Sequence, residues 1–139
     1  MKNPDLAIRI GVIAKLDPLL TVPVRDMEAR PDDEPPYVLL STQTTSQEPV
    51  KSSFDHNCTL LIQVYSRAEL TVNRGTVDAI AGIITEALVT DDPDELISVS
   101  GFKVISCILE SMSDDTLPYG DGRLTTRKLI RLRYRLQEI

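Results

Sequence analysis

Residues 123–137 read RLTTRKLIRLRYRLQ, and their alternation sets the frame for the whole chain. Lys128, Ile130, Leu132, Tyr134 and Leu136 fall on one side of an extended segment. Arg127, Leu129, Arg131, Arg133 and Arg135 fall on the other. A period of two over this length predicts a β-strand with an aliphatic face and an arginine face.

Working back from that strand, residues 114–122 end in Tyr119-Gly120-Asp121-Gly122, a turn composition, and predict a loop. Before it, Val99 to Met112 predicts a strand. Phe102, Val104, Ser106 and Ile108 share one face, with Ile105, Cys107 and Leu109 on the other. Apolar residues on both faces predict a central position in the sheet. Val77, Ile80, Ile84 and Leu88, with Ile83 and Ala87 beside them, give the stripe of a helix over 74–89, with Asn73 or Thr76 as its cap. Asp91-Asp92-Pro93 stops it.

Further back, Asn57 to Ser66 reads as an inner strand, with Cys58, Leu60, Ile62 and Val64 on one face. Tyr37 to Thr45 reads as its hairpin partner. The polar stretch 46–54 between them predicts an extended tip of about ten residues. Glu28 to Pro36 is an acid- and proline-rich loop, preceded by a short extended piece, Thr21 to Asp26. Asn3-Pro4-Asp5 starts a helix over about 4–16, with Leu6, Ile10, Ile13 and Leu16 or Ala14 as its apolar positions. The sum is one α+β domain over 1–139. It has a mostly antiparallel sheet of four to five strands with two helices packed against it, in the order α-β-β-β-α-β-β.

Composition bounds the chemistry. The chain of 139 residues is long enough for a core without disulfides or metals. It has no Trp and only 4% aromatics, so that core is aliphatic. No apolar run approaches the roughly 20 residues of a membrane span. The opening MKNPDLAIRIG has no signal-peptide pattern, which implies manufacture and use in a cytoplasm. Cys58 and Cys107 lie mid-strand and read as buried, reduced thiols. His56 is the sole histidine, so a multi-histidine metal site is excluded. There is no glycine-rich phosphate loop, no Cys or His pair at metal spacing and no Gly-x-Ser-x-Gly elbow, and no cofactor is expected. The acids Asp91, Asp92, Asp94 and Glu95 lack the ligand spacing and central glycine of a calcium loop.

Charge is unevenly placed. Residues 123–139 carry six bases and one acid, a net +5, against a net −11 for residues 1–122. Such a split favours self-association, one patch of a copy meeting a different patch of the next. Three readings of the Arg127, Arg131, Arg133 and Arg135 row stand open. It is a solvated sheet face paired to neighbouring acids, a subunit interface, or a contact to nucleic-acid phosphate.

The segments PYVLLSTQTTSQE (36–48), HNCTLLIQVYSRAE (56–69), TVDAIAGIITEAL (76–88) after Gly75, VISCILESMSDD (104–115) and GRLTTRKLIRLRYRLQ (122–137) follow one another in a telling order. With the opening helix and Val24-Arg25-Asp26, this order and spacing resemble the tail completion, or tail terminator, proteins of long-tailed bacteriophages. The resemblance covers nearly the whole chain and rests on strand and helix texture. It implies a non-enzymatic virion assembly protein. Such a protein forms a ring, typically of six copies, on the end of the tail tube. The ring ends tube growth and joins tail to head through neck proteins. It also implies a virion location after assembly in the host cytoplasm, with self, tail tube protein and a neck or head-completion protein as partners. DNA would pass through the ring without specific binding, and no membrane is involved. Arg127, Arg131, Arg133 and Arg135 are then candidate subunit-interface residues. Asp32, Asp33, Glu34, Gln47, Glu48, Lys51, Asp91 and Asp92 are candidate partner-contact residues in loops. The competing readings are another neck or head-completion protein, a module holding nucleic acid or an acidic ligand on the arginine face, and a small enzyme built from Asp, Glu, Tyr and Thr.

Overall fold

The computed structural model describes residues 1–50, 53–71 and 74–139, without the side chains of 48–50, 53–54 and 119. Among them the order is α1 (Asp5–Leu16), β1 (Val24–Asp26), β2 (Tyr37–Val50), β3 (Ser53–Tyr65), α2 (Gly75–Leu88), β4 (Phe102–Gly120) and β5 (Arg123–Glu138). The five strands form one sheet in the order β1-β2-β3-β5-β4. The β1–β2 pair is parallel and the other three are antiparallel. This is the expected α+β architecture.

The centre of the sheet is where alternation is cleanest. Cys58, Leu60, Ile62 and Val64 of β3 and Ile130, Leu132, Tyr134 and Leu136 of β5 are all buried on one face. The register places Ile62 opposite Ile130, Leu60 opposite Leu132 and Cys58 opposite Tyr134, so the two strands present one continuous apolar floor. Helix α2 lays Val77, Ile80, Ala81, Ile84 and Leu88 onto it, residues recurring every three or four positions. Helix α1 covers the β1–β2 end with Ile8, Val12 and Leu16. A polar cluster ties α1 to the sheet. The Arg9 Nε donates to Asp26 at 3.0 Å, its guanidinium also reaches Gln43, and the Gln43 amide donates to the Asp5 carbonyl at 3.1 Å.

Several expectations give way to the structure. Helix α1 has the expected span, but its buried stripe is Ile8, Gly11, Val12 and Leu16, while Leu6 and Ile10 face outward. Asn3 does accept a bond from the Asp5 amide at 3.0 Å, although Pro4 occupies the cap position itself. Arg74 takes the cap position of α2, without a side-chain bond. Thr76 therefore lies within the helix, and Asn73 falls outside the described residues.

The stretch 46–54 does not break the hairpin. Pairing of β2 with β3 continues to Val50 opposite Ser53, past a bulge between Leu40 and Gln43. Residues 114–120 are strand rather than loop, paired with 123–128. The turn is confined to Asp121 and Gly122, flanked by Gly120, and all three have positive φ. Strand β4 is an edge strand, not a central one. Its apolar residues on two faces have another cause. The helices lie on β1, β2, β3 and β5, and the bulges at Val104/Ser106 and Leu109/Ser111 turn side chains out of phase. Ile105, Ile108, Leu109 and Met112 are consequently exposed.

Candidate functional site

The second face of the sheet carries no helix, and the odd-numbered residues of β5 form its middle row. Cross-strand pairing sets Arg127 beside Tyr65, Arg131 beside Leu61, Arg133 beside Thr59 and Arg135 beside Asn57. On the β4 side the same residues meet Asp115, Ser111, Ile108 and Ser106. The four arginines expected to act together do share one face.

Their electrostatics differ. Arg127 grips Asp115 with two parallel bonds, its Nε donating to Oδ1 at 3.0 Å and its terminal nitrogen to Oδ2. This pair holds the Asp115 carboxyl below the usual carboxylate range and pushes Arg127 up, with a smaller contribution from Tyr65. Arg133 donates to Glu110 at 3.0 Å, and Arg135 to Asp55 at 3.2 Å. Arg131 has no acid partner among the described residues. It lines a shallow cleft of about 410 Å³ with Arg133, Glu110, Thr44, Ser46, Asn57 and Thr59. The Thr44 and Thr59 hydroxyls hydrogen-bond each other across the β2–β3 pair at 2.5 Å. The cleft thus offers one unneutralised guanidinium, a second held only by an exposed ion pair, and a rim of hydroxyls and amide. Its chemistry suits an incoming carboxylate or phosphate.

The candidate contact loops lie in different places. Asp33 is tied to β1 and to its own loop. Both its oxygens receive Arg25, at 2.9 and 3.1 Å, and Oδ2 also accepts the Arg30 amide at 2.8 Å, which holds its carboxyl below the usual range. Asp32 and Glu34 beside it are exposed, and Glu34 shares a cleft with Arg67 and Arg123. Gln47 is exposed on β2, opposite His56; the Glu48 side chain and Lys51 fall outside the described residues. Asp91 and Asp92 are exposed in the turn after α2. Asp92 accepts the Asp94 amide at 3.0 Å, so this turn is built from its own side chains.

Two interactions escaped the sequence reading, which sets Lys128 on the aliphatic face without its partners. Lys128 lies on the buried side of β5 and reaches Asp78 of α2 at 2.6 Å and Asp114 of β4 at 3.0 Å. Its ammonium is pushed above the ordinary lysine range, chiefly by the bond to Asp78. This cross-link pins the start of α2 to the β4–β5 hairpin. The second is His56, fully buried and stacked edge-on against Phe102 at 5.6 Å. That places the lone histidine in the core. Among the described residues no group of His, Cys, Asp or Glu is arranged to hold a metal ion.

No protein-family model matches the chain, and no curated protein does. Among solved structures, the fold is similar to that of a chain in the virion of native gene transfer agent (GTA) particle. The likeness covers 99% of each chain, with a TM-score of 0.73 and 14% identity.

Proposed function

We propose that this chain is a non-enzymatic virion assembly protein that forms a ring on the end of a tail tube, ends tube growth and joins tail to head or neck. The observation that carries the reading is the whole-length likeness to a chain of a virion, 99% in both directions. The order and spacing of segments that resemble the tail completion proteins point the same way. The charge split supports a closed assembly of identical copies, which needs two unlike patches on one molecule. On this reading the partners are further copies of the chain, the tail tube protein and a neck or head-completion protein. DNA crosses the ring without being held.

The alternative of a nucleic-acid module on the arginine face is weakened by a specific observation. Arg127, Arg133 and Arg135 are each turned to an acid of their own chain, which lowers the positive field offered to phosphate.

The test is to add the purified chain to polymerising tail tube protein and image the products. The expected result is a ring density at one tube end and tubes that stop lengthening once capped. Tubes that grow on unaltered, with the chain left unbound, would overturn the reading.

A further inference from the structure

The open-face cleft has an unneutralised cation, and the same molecule carries an acidic turn on the opposite layer. We propose that the Arg131–Arg133 cleft of one copy receives the Asp91–Glu95 turn of a second copy, so that successive copies join sheet face to helix face. This inference rests on the ring reading above and assigns the two surfaces that make the ring.

Three observations select this pairing. First, the turn after α2 holds the densest set of exposed carboxylates, four within residues 91–95, against Asp32 and Glu34 beside Asp33. Asp33 is consumed by Arg25, whereas Asp91, Asp92, Asp94 and Glu95 are all exposed, and Glu95 has only a long 3.5 Å contact to Lys15. Second, apolar surface lies beside both patches. Ile108, opposite Arg133 in the β4–β5 register, is 50% exposed. Next to the turn a groove of about 400 Å³ is lined by Leu19, Ile83 and Ala87 together with Lys15, Thr90, Glu86 and Glu95. An interface with an apolar centre and charged rim follows when Ile108 enters that groove while the arginines meet the turn. Third, the two patches sit on opposite layers, because the turn follows α2, which packs on the buried side of the sheet. Joining unlike faces is heterologous and propagates to a closed ring or an open chain, never stopping at a symmetric dimer.

The experiment uses two variants of the full chain and a mixture. Arg131→Glu with Arg133→Glu reverses the cleft. Asp91→Arg, Asp94→Arg and Glu95→Arg together reverse the turn, from four acids to three bases and one acid, and leave the Asp92 bond to the Asp94 amide in place. Mass photometry and sedimentation equilibrium read association, and circular dichroism with thermal unfolding checks that each variant folds. Each variant alone should self-associate at least about tenfold more weakly than the unaltered chain, and an equimolar mixture should recover assembly, because its junctions again pair opposite charges. Unaltered assembly in both variants would overturn the surface assignment while leaving the ring reading intact. Failure of the mixture to recover would also overturn it. An unaltered chain that stays monomeric at high concentration overturns direct mating of the two faces; the tube-capping test then decides the ring reading on its own.

Discussion

Lys128 stands among Ile130, Leu132 and the other buried residues of β5, yet its charge is met by two carboxylates. Removing it as Lys128→Ala leaves Asp114 only its long 3.9 Å contact to Arg74 and loosens α2, at an expected cost of about 1–2 kcal/mol in denaturant unfolding at neutral pH. Folding raises its titration above the usual lysine value of 10.5. The stabilisation is therefore complete below that pH and lost as pH climbs through the folded value. From neutral pH upward the gap between the unaltered chain and the variant should stay flat to about pH 10.5 and close only above it; a gap that closes between about pH 7 and pH 9 would contradict this account. The two thiols make a second residue-scale prediction. Burial pushes Cys107 up to about 11 and Cys58 up as well, so little thiolate exists at pH 8. A thiol-reactive dye should label the folded chain slowly and the denatured chain fully, and rapid labelling of folded protein would refute the assignment. At this scale the arginine row was legible because alternation alone decides which side a residue faces. Its partners were not, because Glu110 reaches Arg133 through a register that the β4 bulges help to set, and Asp55 reaches Arg135 on a diagonal across the β3–β5 pair.

Helix α1 shows what element-scale reading lacks. Leu6, Ile10 and Ile13 are spaced as a stripe no worse than Ile8, Val12 and Leu16. Periodicity cannot choose between two stripes on a helix that is apolar around much of its girth. The choice is made by close packing at Gly11, where an added Cβ would lie 2.5 Å from the Ser98 carbonyl oxygen. Gly82, in the middle of α2, has open space around the same position. Gly82→Ala should therefore stabilise by about 0.5–1 kcal/mol through helix propensity, while Gly11→Ala should destabilise by about 1–3 kcal/mol despite the same propensity gain. Thermal unfolding of the pair checks both signs, and a stabilised Gly11→Ala would show that α1 does not sit against Ser98. The strand ends were misread for a related reason. The distal parts of β2 and β4 have no helix over them, so their sequence carries no buried face and therefore no alternation to detect.

For the whole molecule, the element order and the buried centre were readable, since β3, β5 and α2 each carry one unambiguous apolar face. The sheet order was not readable, because the both-faced apolar content of β4 argued for the centre while the structure sets it at the rim. If assembly joins opposite charges, association should weaken steadily as salt rises from low to about 0.5 M, as screening shortens the reach of surface charge. Sedimentation across a salt series measures this, and association that strengthens with salt would instead indicate an apolar junction. The strand order also governs how the chain comes to be folded. Strand β5 is inserted between β3 and β4, so β3 finds its inner partner only when the last segment of the chain arrives. The early hairpin of β2 and β3 is local and closes fast, whereas the β3–β5 pairing spans much of the sequence and carries the loop-closure entropy. A chain emerging from the ribosome therefore holds half its apolar floor unpaired until β5 is made, a window in which a chaperone, rather than a neighbouring copy, is the useful contact.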